Sequence, residues 1–233
     1  MTPKTAAKLS FSLVLFLVGA GSTAHAQTTP VATRHRGMNS VVERPGFDFG
    51  LRLGYAVPFG DMVQNNGLND NFSGAIPFVL EAGYRFTPNI TAGALFQYAF
   101  TQVKDNPNTG CGGGVSCSGS VVRLGLEGIY NMRTGDSVDP WVGLGIGYEW
   151  MNIDLSTPGG TTNAEMNGIE FLTVQGGGDF RLTPQLGLGP FLSFSIARYG
   201  SASFTQGGFT TSPNIQTAVH EWLQLGVRGT FSI

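Results

Sequence analysis

The sequence predicts an all-β fold, an eight-stranded antiparallel up-and-down transmembrane barrel, and three observations predict it. Segments that alternate apolar and polar residues with a period of two recur between clusters of Gly, Asn, Asp, Pro and Ser. The connections between them alternate in length, short then long. Charged residues make up only 12% of the chain and glycines number 35, so something other than a charged, water-facing surface is being built.

The N-terminus reads as an address. Lys4 and Lys8 precede an apolar run from Phe11 to Ala20, and Ala24-His25-Ala26 is a small-residue cleavage signal, so residues 1–26 are expected to be a signal peptide cleaved after Ala26. An N-terminal membrane anchor is the alternative, but it needs a longer run of roughly 17–25 residues. With Cys111 and Cys117 as the only cysteines, none stands at the cleavage point, and a lipoprotein is not expected. Loss of Lys4 and Lys8 leaves 11 basic residues of 13 against 15 acidic ones, which gives no nucleic-acid footprint. Residues 27–46 are polar, carry Pro30 and Pro45 and show no alternation, and are expected to be a flexible leader to a barrel over residues 47–233. After Ala26 no apolar stretch is long enough for a spanning helix, so a membrane location requires a barrel.

The first strand is expected over Phe47 to Val57, with Phe49, Leu51, Leu53 and Tyr55 opposite Asp48, Gly50, Arg52 and Gly54. The second, Ala75 to Phe86, sets Ile76, Phe78, Leu80 and Tyr84 against Val79, Glu81, Gly83 and Arg85. Across Thr87-Pro88-Asn89 the third sets Ile90, Ala94, Phe96 and Tyr98 against Thr91, Gly93, Leu95 and Gln97, Leu95 being a mild break in the polar face. The fourth, Ser120 to Tyr130, pairs Val122, Leu124 and Leu126 with Arg123, Gly125 and Glu127. The fifth, Trp141 to Met151, alternates most cleanly, Val142, Leu144, Ile146 and Tyr148 against Gly143, Gly145, Gly147 and Glu149. The sixth, Glu170 to Leu182, the seventh, Leu186 to Tyr199, and the eighth, Glu221 to Ile233, complete an even number.

Thr87 to Asn89, Asn131 to Pro140 and Thr183 to Gln185 are short connections, whereas Pro58 to Gly74, Gln102 to Gly119, Asn152 to Gly168 and Gly200 to His220 are long. Short turns at one end and long loops at the other mark an outer-membrane barrel, with turns in the periplasm and loops outside. A soluble ligand carrier of the lipocalin kind has the same period with its faces exchanged. Three features favour lipid outside. The polar face is rich in glycine and carries scattered charges, which suits a narrow lumen. Aromatic residues gather toward strand ends at Tyr84, Phe86, Tyr98, Phe100, Tyr130, Tyr148 and Trp150. The strand lengths match a tilted span of roughly 9–11 residues.

The segments LRLGYAVPFGD (Leu51 to Asp61), DPWVGLGIGYEW (Asp139 to Trp150), LTVQGGGDFRLTPQLGLGPFLSFS (Leu172 to Ser195) and HEWLQLGVRGTFSI (His220 to Ile233) resemble the small outer-membrane β-barrel domain family of the OmpA/OmpX-like type. The resemblance covers Phe47 to Ile233. It implies a location in the cell outer membrane of a Gram-negative-type bacterium, contact with membrane lipid and lipopolysaccharide, and insertion by the barrel-assembly machinery. The chain departs from OmpA itself in that it is expected to be a barrel without the peptidoglycan-binding domain, and from the many outer-membrane barrels that end in phenylalanine in that Ile233 is the last residue, with Phe231 two before it. Family members share the barrel and differ in what it does.

Arg52, Glu81, Arg85, Arg123, Glu127, Glu149, Asp179, Arg181 and Arg228 share the polar parity. Buried charges must find partners, so a network of lumen ion pairs that plugs the barrel is expected, with a narrow, porin-like ion path as the alternative. Gly143-Leu144-Gly145-Ile146-Gly147 lacks the following helix of a dinucleotide loop, and Gly176-Gly177-Gly178 reads as a bend or a tight lumen site. Cys111 and Cys117, in CGGGVSC within a long outer loop, are expected to close a small disulfide; metal binding is the rival, and no histidine lies nearby. With His25 in the signal and His35 in the leader, His220 is the only histidine near the barrel. A membrane lipase would need it to act with a loop serine, and it reads instead as an interfacial residue. The expected role is therefore non-enzymatic and without a cofactor, either structural or exercised through outer-loop contacts with an extracellular partner.

Overall fold

A computed structural model describes residues 45–105, 109–132 and 137–233. The expected signal peptide and all but the last two residues of the expected leader lie outside the described residues. Strands run over Gly46–Val63 (β1), Asn66–Gly67 (β2), Phe72–Thr87 (β3), Ile90–Val103 (β4), Ser116–Asn131 (β5), Val138–Thr157 (β6), Gly160–Arg181 (β7), Leu186–Gln206 (β8), Phe209–Thr211 (β9) and Val219–Ser232 (β10), with one helical turn, α1, at Leu68–Asn71. Eight of these strands are long, and each pairs antiparallel with its sequence neighbour. The ring closes because β10 pairs with β8 on one side and with β1 on the other, from Asp48 opposite Ser232 to Gly60 opposite His220. Reciprocal backbone bonds join Phe47 N to Ile233 O (3.2 Å) and Ile233 N to Phe47 O (2.9 Å) at the seam. A closed ring has no edge, so each strand in it finds backbone partners on both sides, as hydrocarbon requires.

The pleat sends alternate residues to opposite faces. Outward positions in the middle of the strands are large and apolar: Leu126, Leu144 and Leu225 are 63%, 61% and 63% exposed. Similar residues circle the ring, far more apolar surface than a soluble monomer displays. Aromatic rings flank this belt. Tyr84 packs edge to face against Phe47 (5.3 Å) and Phe86 (5.1 Å) near the short turns, while Tyr98 meets Phe100 (5.0 Å) and Tyr148 meets Trp150 (4.7 Å) toward the other end. The orientation with lipid outside, rather than the lipocalin arrangement, therefore holds over this belt.

At one end the two connections that are described throughout are tight: Thr87 Oγ1 accepts from Ile90 N (3.1 Å) between β3 and β4, and Thr183 Oγ1 accepts from Leu186 N (3.0 Å) between β7 and β8. The other end differs from the expected long loops. Much of Pro58 to Gly74 and nearly all of Asn152 to Gly168 is strand, and β6 and β7 meet at a tight turn, Thr157 opposite Gly160. β8 likewise runs on to a two-residue turn, Gly207-Gly208, where φ of +58° and +84° suits glycine at both positions. The 22 residues of β7 give it a contour of roughly 70 Å at about 3.3 Å per residue, more than a tilted span of hydrocarbon needs.

The reason these extensions do not read as strand is visible in β6. Up to Trp150 its outward residues are Val142, Leu144, Ile146 and Tyr148; beyond it they are Asn152, Asp154 and Ser156. Inward residues change the opposite way, from Gly143, Gly145, Gly147 and Glu149 to Met151, Ile153 and Leu155. The pleat does not slip; the surroundings exchange. β6 therefore predicts its own boundary: Leu144→Arg destabilises the folded protein in vesicles by about 2–4 kcal/mol, whereas Thr161→Arg, on the extended hairpin, costs about 0–1 kcal/mol. Urea unfolding followed by tryptophan fluorescence measures both, and equal costs would put the lipid boundary elsewhere.

Candidate functional site

The lumen is lined by the inward positions of the eight long strands, and its charged residues fall into three groups along the axis. Near the short turns, Arg85 pairs with Asp48, Ser232 Oγ accepts from Arg85 Nη2 (2.7 Å), and Thr91 Oγ1 donates to Asp48 Oδ2 (3.1 Å). Beside them Arg181 Nη2 donates to Asp139 Oδ2 (2.6 Å). Bidentate contacts to charged partners are the stronger class of hydrogen bond, and Arg85 makes one through Nε and Nη2.

In the middle, Arg52 and Arg228 share Glu81. Arg228 donates from Nε to Glu81 Oε2 (2.9 Å) and from Nη1 to Asp179 Oδ2 (3.0 Å), while its guanidinium lies 4.5 Å from the centre of the Trp141 ring. Trp141 Nε1 in turn donates to Asp179 Oδ1 (3.2 Å), so the ring is held at both its face and its edge. Arg52 pairs with Glu81, donates from Nη2 to Glu127 Oε2 (3.2 Å) and from Nη1 to Gln175 Oε1, and Gln175 Nε2 returns a bond to Glu127 Oε2 (2.7 Å). Gly177 makes room for Trp141: a Cβ there would lie 2.5 Å from the Pro190 carbonyl and 2.8 Å from the indole. Of the Gly176-Gly177-Gly178 run, this residue is the tight lumen site.

Toward the hairpin end, Arg123 bridges two carboxylates, Glu149 Oε2 from Nε (2.6 Å) and Glu170 Oε2 from Nη1 (3.1 Å). Glu149 also accepts from Tyr199 OH and lies 3.2 Å from His220 Nε2, and the Tyr199 and His220 rings stack with centroids 4.2 Å apart. Thr173 Oγ1 donates to Glu170 Oε1. Above this group an apolar layer formed by Met151, Val121, Phe72, Leu68, Ala75 and Trp222 fills the cross-section.

His220 is thus not an interfacial residue. It is 0% exposed inside the ring, because it shares inward parity with Trp222, Gln224 and Arg228 on β10. Glu170 was hidden from the alternation by a β-bulge between Glu170 and Leu172, which returns it to the same face as Thr173. Asp139 lies just inside β6, in the stretch read as a turn, and Asp48 shows the inward parity of β1. Asp48 already stood on the polar face of the first strand and was left out of the network, and extending the parity of the eighth strand by one residue would have found His220; nothing in the sequence marks the bulge.

The paired groups comprise five arginines and seven carboxylates, with His220 besides. Open space among them is scant. Voids measure about 40 Å³ beside Arg85 and Arg181, about 10 Å³ beside Glu81 and Glu127, and about 10 Å³ beside Arg123 and Trp222. A void of ~10–15 Å³ holds about one water molecule. Such a lumen clamps strands together across the barrel. Among the described residues no group of His, Cys, Asp and Glu is arranged to hold a metal ion. Cys111, in the connection between β4 and β5, forms a disulfide with Cys117 at the start of β5, Cα atoms 5.9 Å apart.

Glu149 is the acceptor on which Arg123, Tyr199 and His220 converge, and removing one partner of a buried pair leaves the other charge uncompensated. Glu149→Gln is expected to lower unfolding free energy by about 3–5 kcal/mol. A change under ~1 kcal/mol in the urea midpoint analysis would contradict this role.

No protein-family model matches the sequence, and no curated protein matches it. Among solved structures the chain is similar to Neisserial surface protein A, with a TM-score of 0.52 and 16% identity over 80% of this chain and 98% of that one. It is similar also to the outer membrane protein OprG from Pseudomonas aeruginosa, with a TM-score of 0.50 and 15% identity over 83% of this chain and 100% of that one. With the closed ring, the apolar belt and the polar lumen, this likeness gives the chain the fold of the small, OmpA/OmpX-like outer-membrane β-barrels.

Proposed function

We propose that this chain is an exported, integral outer-membrane protein whose barrel is a non-conducting anchor and whose working surface is the set of hairpins raised beyond the membrane. The carrying observation is the lumen itself. Three groups of ion pairs and an apolar layer succeed one another along the axis, and the voids beside them admit single waters or small clusters. His220 supports the non-enzymatic reading, since a fully buried imidazole stacked on Tyr199 reaches no substrate.

The short turns then face the periplasm and the extended hairpins face outward, where the outer-leaflet lipopolysaccharide surrounds their bases. The disulfide supports export, since such bridges persist in oxidising compartments. Delivery would use residues 1–26 as a signal peptide cleaved after Ala26, and insertion would use the barrel-assembly machinery. The hairpins offer an extracellular partner a paired backbone rather than loose loops: β6 and β7 stay in register to Thr157 and Gly160, and Asn163 Nδ2 donates across them to Asp154 Oδ1 (2.8 Å).

The refolded protein is expected to migrate differently on denaturing gels before and after heating, and to give no discrete conductance steps in a planar bilayer. Steps that change in size in Glu127→Gln or Arg123→Ala would replace the anchor with a narrow ion path.

A further inference from the structure

Above the apolar layer the barrel wall continues, and its interior is apolar where the membrane-level interior is charged. β6 turns Ile153 and Leu155 inward, β7 turns Ala164 and Met166, and Met62 closes from β1. At the same height the outward residues are Asp154, Ser156, Asn163 and Glu165, so this part of the wall stands in water. It has the polarity of a soluble ligand-carrying barrel, polar outside and apolar inside. Lower down the apolar side chains fill the cross-section, but higher up they do not meet. They surround a cavity of about 340 Å³, and Phe204 on its wall remains 46% exposed.

We propose that this cavity is a binding site for a small neutral apolar molecule taken from the outside medium, an aliphatic molecule of medium chain length or a two-ring aromatic. Among the described residues no charged side chain lines it. Its polar groups are largely engaged within the protein: Asn71 Nδ2 donates to Asn66 Oδ1 (2.6 Å) and Gly67 O (2.9 Å), and Thr109 Oγ1 donates to Lys104 O (2.8 Å). A carboxylate or phosphate would find no counter-charge there, which excludes fatty-acid and phospholipid headgroups from the interior. An apolar cavity of roughly 150 Å³ accepts benzene, so this one takes a molecule about twice as large. Met62 on β1 and Met166 on β7 provide unbranched, polarizable contacts that adapt to different shapes. Below, Met151, Tyr199 and Trp222 are packed without exposure or nearly so, and the ion pairs follow. The molecule is therefore held at the mouth and does not pass through. This inference rests on the closed lumen only for that last statement.

The test uses the exported protein in lipid nanodiscs with isotope-labelled methionine methyl groups, titrated with naphthalene. Met62 and Met166 signals are expected to shift saturably, while Met132 at the short-turn end changes only linearly with the amount of probe. Ala164→Phe, which fills the cavity, is expected to abolish saturation. If that variant does not refold, Ile153→Asp is expected to weaken binding roughly tenfold or more by placing a charge in an apolar site. Absence of saturation in the unmodified protein, or unchanged saturation in the folded variants, overturns the proposal. Broadening of both methionine signals by a lipid carrying a spin label on its acyl chain would put a membrane lipid in the cavity and overturn the assignment to a free molecule. Conductance is read separately, so an open pore with saturable shifts overturns the anchor and leaves the site.

Discussion

A backbone amide in hydrocarbon has no water to bond, and the pairing of β10 with β1 answers that constraint for the whole molecule. Without this seam both strands would present rows of unpaired N–H and C=O groups to lipid, each costing several kcal/mol. The seam also fixes the register, because Arg52 lies opposite Arg228 across it and both reach Glu81. A slip by one residue would turn these guanidiniums toward lipid and the leucines inward. Closure, register and lumen chemistry are therefore one specification.

Eight strands enclose a narrow space, and the side chains there divide it by size as well as by charge. Glycines at Gly143, Gly145 and Gly177 leave volume that Gln175, Thr173 and Trp141 occupy. The arginines span the axis because their forked donors reach two acids on different strands at once, as Arg228 does for Glu81 and Asp179. Buried ion pairs contribute less to net stability than their number suggests, since each charge has been taken from water. Their larger effect is specificity: wrong registers leave charges alone in a low dielectric.

The sequence was most legible where lipid touches it. Alternation from Val142 to Trp150 reports a face in hydrocarbon, and it located the strands, the turns and most inward charges. It was silent where that contrast reverses, since Met151, Ile153 and Leu155 on the inward parity read as the end of a pattern although the strand continues. Glu170 escaped because a bulge changes parity locally, and His220 escaped because its neighbour Trp222 suggested an interface. Cys111 and Cys117 were readable because the five residues between them, three of them consecutive glycines, allow the bridge that the structure contains. Backbone pairing in the upper hairpins runs from partners 3 residues apart, Thr157 and Gly160, to partners 44 residues apart, Thr162 and Gln206, and no one local pattern encodes it.

One wall thus serves two solvents, with the exchange at Glu149 and Trp150 on β6. Spin labels placed singly at positions 144, 146, 154 and 156, all on the outward face of that strand, test this most directly by collision with oxygen, which concentrates in lipid, and with a water-soluble nickel chelate. The first two are expected to respond to oxygen and the last two to nickel. Nickel accessibility at 144 and 146, or oxygen accessibility at 154 and 156 equal to theirs, would contradict the account.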